Sequence, residues 1–143
     1  MDLYFYNATG DDFDFVYEAI CNLENYKLDK ESFMEIFKKN VSNKDIIYLI
    51  LKDSNMNKAF ISIHVQYLLH HSDRVAEIQE FWVDEKKRSL GYGKEIIKKI
   101  VDILKEKGIN YLEVSTNKKR EGAQKFYKNQ GFIESHYKYT MRI

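Results

Sequence analysis

The sequence predicts an α/β fold, a mixed β-sheet carrying helices on both of its faces. Three observations predict it. Segments with apolar residues at i, i+3, i+4 spacing alternate with apolar or alternating segments of strand length. The order reads β, α, α, three strands, α, β, α, β, and no period of 20–50 residues marks a repeat architecture. At 143 residues with 44% apolar and 15% aromatic content, the chain has enough material for a packed core and suits a single domain, 1–143.

The elements follow in order. Leu3 to Asn7 is a short apolar strand, and Thr9-Gly10-Asp11-Asp12 supplies cap residues for a helix whose Phe13, Val16, Tyr17 and Ile20 share a face. A second helix runs from Asp29 to about Asn40, with Phe33, Ile36 and Phe37 inward. Ile46 to Lys52 reads as a strand buried on both faces, followed by a turn over Asp53 to Asn57. Ala59, Ile61, Ile63, Val65 and Tyr67 alternate with more polar neighbours as a half-buried strand, and Val75 to Val83 is another. A helix starts near Gly91, turns Ile96, Ile97, Ile100, Val101 and Leu104 to one face, and ends at Gly108. Tyr111 to Thr116 is a strand. Glu121 to Gln130 is a helix stopped by Gly131, and Phe132 to Ile143 has room for one or two closing strands.

Composition excludes several function classes. Lys+Arg 23 against Asp+Glu 22 leaves a formal charge of +1, which is not the balance of a dedicated nucleic-acid binder. Lys118-Lys119-Arg120 is explained by a solvated loop. No apolar run approaches the ~20 residues of a membrane span, and no signal peptide is visible at Met1-Asp2-Leu3. With the lone Cys21 read as a small packed apolar residue, the expected compartment is the reducing cytoplasm. The lysine-, isoleucine- and asparagine-rich usage points to a bacterial source. No metal site is expected, because His70 and His71 are adjacent and point oppositely on a strand.

The six glycines cluster once, at Gly91-Tyr92-Gly93, between a strand and a helix. Glycines let a backbone approach a phosphate, and the N–H groups of the following helix receive its charge. A P-loop would need Ser or Thr after Gly93-Lys94, where Glu95 stands. A dinucleotide fingerprint would need glycine or alanine where Ile96 stands. What remains is Arg88-Ser89-Leu90-Gly91-Tyr92-Gly93, an Arg-x-x-Gly-x-Gly pattern. Downstream lie Ser115-Thr116-Asn117 and Gly122-Ala123-Gln124-Lys125-Phe126-Tyr127 to Gly131-Phe132.

On these motifs the chain resembles the GCN5-related N-acetyltransferase (GNAT) superfamily over nearly its whole length. The resemblance implies an acetyl-CoA-dependent N-acetyltransferase. It implies that Phe81, Trp82 and Val83 hold the pantetheine arm as a pseudo-strand, and that Arg88, Ser89, Leu90, Gly91, Tyr92, Gly93 and Lys94 cradle the pyrophosphate. It further implies that Asn117 contacts the cosubstrate near the thioester and that Tyr127 protonates the departing thiolate.

The chemistry needs a neutral amine. With a pKa of ~10 such an amine is about one part in a thousand neutral at pH 7, a deficit of about 4 kcal/mol that a carboxylate base can offset. Glu77, Glu80 and Glu113 are candidates. Regular alternation sets Glu77, Gln79 and Phe81 on one face and Ile78, Glu80 and Trp82 on the other, so the two glutamates of this strand would point opposite ways. Glu80, two residues before Trp82, is the preferred base.

A narrower likeness, carried by Tyr17, Ile20-Cys21, Leu68-Leu69-His70-His71, Glu77 to Glu80, Ser115 to Asn117, Lys119-Arg120 and Glu134-Ser135-His136, is to aminoalkylphosphonate N-acetyltransferases. It implies a small amine acceptor. Arg74, Lys119 and Arg120 would bind a phosphonate, Glu80 the ammonium, and His70, His71 and His136 would give hydrogen bonds. Protein N-terminal or lysine acetylation, and a non-catalytic CoA-binding regulatory module, are the alternatives. A homodimer through an exposed last strand is also open.

Overall fold

The computed structural model describes residues 2–87 and 90–143. Five strands form one sheet in the order β1-β2-β3-β4-β5: β1 (Leu3–Asn7), β2 (Ile46–Asp53), β3 (Met56–Leu68), β4 (Asp73–Val83) and β5 (Leu112–Val114). The first four are antiparallel neighbours, and β5 is parallel to β4, which makes the sheet mixed. Four helices accompany it: α1 (Phe13–Glu24), α2 (Lys30–Val41), α3 (Tyr92–Glu106) and α4 (Glu121–Asn129).

Each element begins where the sequence chemistry permits. Thr9 and Asp12 form a reciprocal capping box before α1, and the Asp29 carboxylate accepts the Ser32 N–H to start α2. The β2–β3 hairpin closes through Ser54 and Asn55, with φ of 52° and 66°, the paired left-handed residues that match strand twist in a two-residue turn.

Two cores lie on opposite faces of the sheet. One packs α3 and α4 against Leu49, Leu51, Ala59, Ile61, Ile63, Ala76 and Ile78. Here Ile96, Ile97, Ile100 and Leu104 are buried, each contributing about 1.5–3 kcal/mol relative to exposure. The other packs α1 and α2 against Ile50 and Phe60 through Phe13, Val16, Tyr17, Ile20 and Phe37.

Four expectations change. Ile36 is not inward: it is 60% exposed, because Phe33 and Phe37 already cover the sheet from α2. The strand expected over Tyr111–Thr116 shortens to Leu112–Val114, the length over which it pairs with β4. Phe132 to Ile143 forms no strand; beyond Phe132 the tail is exposed, and its alternating apolar residues pair with no strand among the described residues.

The fourth change concerns β4. Its register passes from Glu80 opposite Ser62 to Ile78 opposite Ile63, so Gln79 is the extra residue of a β-bulge. The bulge resets the alternation. Glu77, Glu80 and Trp82 oppose His64, Ser62 and Phe60 on the α1/α2 face, whereas Ile78, Phe81 and Val83 oppose Ile63, Ile61 and Ala59 on the α3/α4 face. The two glutamates therefore share a face, contrary to the expectation from regular alternation.

Candidate functional site

The bulge lies where two strands part company. The β4–β5 ladder covers Ala76, Glu77 and Ile78 and stops there, while β4 continues to Val83. Among the described residues, no strand pairs with Gln79 to Trp82 on the β5 side. Phe81 and Val83 pack into the α3/α4 core, and Trp82 turns to α1, its indole N–H donating to Asn22 Oδ1 at 2.9 Å.

The turn after β4 leads into α3. Arg88 and Ser89 lie outside the described residues. Gly91 precedes the helix with φ +86°, a left-handed conformation that favours glycine. Gly93 needs its lack of a side chain for a different reason: a Cβ there would lie 3.0 Å from the Phe126 ring of α4. Tyr92 is 3% exposed and its hydroxyl bonds the Asp53 carboxylate, so its ring is a core anchor; only its backbone faces the turn. Leu90 and Lys94 are exposed beside the first turn of a 15-residue helix, at the positive end of its dipole.

From α4, Tyr127 sits between the rings of Phe126 and Phe132, at 5.4 Å from each. Burial pushes its phenol up to about 12, with the positive charge of Arg120 pulling the other way. Asn117 shapes the turn that precedes α4: its Oδ1 accepts from the Lys119 N–H at 2.9 Å, and its carbonyl accepts from the Arg120 N–H and from Gln124. Lys119 and Arg120 are exposed on that turn.

On the opposite face, Glu80 borders a cavity of about 280 Å³. Val16, Ile20 and Glu24 of α1 line it with Tyr26 and Leu28 of the α1–α2 connection. Phe33, Ile36 and Phe37 of α2 complete it with Tyr48, Phe60 and Glu80 of the sheet. Ser62, fully buried, accepts the Glu80 backbone N–H at 3.0 Å and donates its own hydroxyl to Glu80 Oε1. Tyr48 accepts from Asn40 Nδ2 at 2.7 Å; burial, with the nearby Glu80 charge, raises its phenol above the ordinary value. Glu77 has different company, since its Oε1 accepts from Gln79 at 2.8 Å and from Gln66 at 3.4 Å. Glu113 is its register partner on β5.

Other candidates are not brought here. His70 and His71 occupy a short turn between β3 and β4 and not a strand as expected, their rings edge to face at 4.6 Å, with His71 against Tyr111. Arg74 donates to the Lys107 carbonyl at 2.7 Å, closing the C-terminal end of α3. Along extended β4, Arg74 is roughly 20 Å from Glu80. His136 is exposed in the tail and bonded to Ser135.

The arrangement combines the parting of β4 from β5, the N-terminus of α3 and the buried Tyr127 phenol on one face of the sheet, and the Glu80 carboxylate beside a cavity on the other. The model of the Acetyltransferase (GNAT) family matches residues 13–132, which includes all of these elements except β1. The chain belongs to the GNAT family. As a GNAT N-acetyltransferase, it is similar to the aminoalkylphosphonate N-acetyltransferase of Salmonella typhimurium, with 32% identity over 96% of this chain and 89% of that one. Among solved structures, a possible acetyltransferase from Clostridium difficile 630 superposes with a TM-score of 0.86 at 19% identity, covering 100% of this chain and 99% of that one. A predicted acetyltransferase with acetyl-CoA from Clostridium acetobutylicum superposes with a TM-score of 0.80 at 15% identity, covering 98% and 96%. These two likenesses are of fold.

Sequence reasoning missed Ser62, Tyr48 and the bulge at Gln79. A serine in a strand carries no signal of its own, and a bulge without glycine leaves none.

Proposed function

We propose that this GNAT protein transfers acetyl from acetyl-CoA to the primary amine of a small molecule by direct attack. The observation that carries the reading is the parting of β4 from β5 at Gln79, which leaves Gln79 to Trp82 without a strand partner on that side among the described residues. Such an edge suits an extended pantetheine arm, with the backbone of Phe81, Trp82 and Val83 alongside it. The turn from Leu90 through Gly91 and Gly93 to Lys94, together with Arg88 and Ser89, would hold the pyrophosphate at the N-terminus of α3. Asn117 would lie near the thioester. Acetyl-CoA supplies the acetyl group activated as a thioester.

The remaining chemistry belongs to the chain. Glu80, rather than Glu77 or Glu113, takes the amine proton: it borders the cavity from which an amine would approach, and Ser62 fixes its carboxylate. The Glu77 Oε1 is already engaged by two amides. Tyr127 acts as the acid toward sulfur. A phenol raised to about 12 stays protonated across the neutral range. Complete transfer to a thiolate of pKa ~8.5 is uphill by about 5 kcal/mol. Its contribution is therefore a hydrogen bond donated to the sulfur as charge builds there.

The name of the Salmonella typhimurium relative supports a small amine acceptor. The phosphonate half of that name would require Lys119 and Arg120, on the turn before α4, to reach the acceptor, since Arg74, His70 and His71 lie toward the other end of β4. The cytoplasm is the proposed location; no helix among the described residues is long and apolar enough to cross a membrane. The test is CoA release from acetyl-CoA across a panel of amines and peptides. Turnover of peptides alone would favour a protein acceptor. Acetyl-CoA binding with no turnover would favour a regulatory module.

A further inference from the structure

We infer that the acceptor is a short alkane diamine or polyamine, an amine that carries a second ammonium group and no anionic group. This rests on the N-acetyltransferase reading and narrows its substrate class.

The cavity beside Glu80 has a defined chemical character. Among the described residues, its charged lining is Glu24 and Glu80, with no lysine, arginine or histidine. Five of the eleven described lining residues are aromatic. A phosphonate here would place an anion of up to two charges against two carboxylates, with no cation among the described lining residues to offset the repulsion. A cation meets the opposite situation. Ring faces attract ammonium groups, and the same rings cover methylene groups.

The two carboxylates divide the work by position. Glu80 lies on the sheet, fixed by Ser62, where the strands part. Glu24 ends α1 and is exposed. A diamine spanning the cavity would offer its reacting nitrogen to Glu80 and its distal ammonium to Glu24. The volume of about 280 Å³ leaves room for such a chain of a few methylenes.

The step balances without a further reactant. The reacting ammonium gives one proton to Glu80, its nitrogen forms the N–C bond to the acetyl carbon, and the C–S bond breaks. The sulfur leaves as thiolate, hydrogen-bonded by Tyr127; the acylated nitrogen sheds its second proton, which reaches the thiolate through water, so that amide and thiol are the products. Glu80 returns its proton to solvent.

The test compares kcat/KM, by thiol release, for 1,4-diaminobutane, 1,5-diaminopentane, spermidine, 1-aminopentane, phenethylamine and 2-aminoethylphosphonate. The expected order puts a diamine or spermidine at least about 30-fold above 2-aminoethylphosphonate and about tenfold above either monoamine. Glu24→Gln should raise KM for the diamine about tenfold with little change in kcat. A preference for 2-aminoethylphosphonate, or equal kcat/KM for monoamine and diamine, would overturn the inference while leaving the acetyltransferase reading intact. Turnover of no amine by a protein that binds acetyl-CoA would overturn both.

Discussion

Ser62 and Glu80 are joined twice, the serine oxygen accepting the glutamate's backbone N–H and the serine hydroxyl donating to its carboxylate. Ser62 is 0% exposed, so its hydroxyl is withdrawn from water. A base is useful only when its carboxylate is held toward the amine, and for Glu80 as the proposed base a neighbouring strand would do the holding. Ser62→Ala removes both bonds and leaves the Glu80 N–H without its partner. We expect kcat/KM to fall about tenfold and unfolding free energy to fall by about 1–2 kcal/mol. Steady-state kinetics and urea unfolding measure the two. Unaltered kcat/KM would remove Ser62 from the mechanism.

Tyr127→Phe separates chemistry from binding. Losing a general-acid hydrogen bond should lower kcat by about 10²-fold or more, with the Kd for acetyl-CoA changed less than about threefold. Titration calorimetry and thiol-release kinetics on the same preparation decide it. Unchanged kcat would discard the assignment.

The same residue should make the protein sensitive to alkali. The phenol lies near 10 when unfolded and about 12 when folded. Below pH 10 it is protonated in both states and its full contribution is present. Between about pH 10 and 12 the unfolded state loses its proton first, so stability falls as pH rises. The loss amounts to roughly 2–3 kcal/mol. Tyr6, also pushed up to about 12 by burial and by Asp12, should add to the slope. Stability curves of the parent and Tyr127→Phe should diverge only above about pH 10; parallel curves would argue against a buried neutral phenol.

Two glycines of one turn should fail differently. Gly91→Ala meets open space but must adopt φ +86°, at a cost of about 1 kcal/mol. Gly93→Ala keeps a helical backbone but meets the Phe126 ring at 3.0 Å, a crowding worth about 1–3 kcal/mol. Pairing Gly93→Ala with Phe126→Leu should recover part of the second loss and none of the first. Thermal unfolding of the single and double variants distinguishes them.

The tail offers a test of assembly. Ile133, Tyr137, Tyr139 and Met141 are each at least 84% exposed and fall on odd-numbered positions, the pattern of a strand with one apolar face. Removing residues 133–143 while keeping Phe132 against Tyr127 should convert a dimer to a monomer in sedimentation velocity and leave monomer stability within about 0.5 kcal/mol. Identical sedimentation of both proteins would discard pairing through the tail.

What could be read from sequence depended on whether the deciding partner was local. Helix α3 was legible because Ile96, Ile97, Ile100 and Leu104 carry their own periodicity, and the β2–β3 turn because Ser54 and Asn55 tolerate left-handed backbone. A cosubstrate side was suggested because its glycines and the Phe126–Tyr127 pair stand in short motifs. The acceptor side was not. Glu24, Phe33 and Glu80 converge from α1, α2 and β4, and no spacing within one segment announces that they share a cavity. The face of Glu77 relative to Glu80 was misread for a related reason: alternation is a local rule, and the extra residue that breaks it is defined by its neighbour strand.

That extra residue has an architectural meaning. Without Gln79, β4 could run as a regular strand and still send Glu77, Glu80 and Trp82 to one side and Ile78, Phe81 and Val83 to the other. The side chains do not need the surplus; the path of the backbone does, because a bulge adds bend and twist where β5 falls away. Foldability and ligand capacity are thus written at different places in the same strand. A chain shortened by that one residue should retain both cores and lose the parting of β4 from β5.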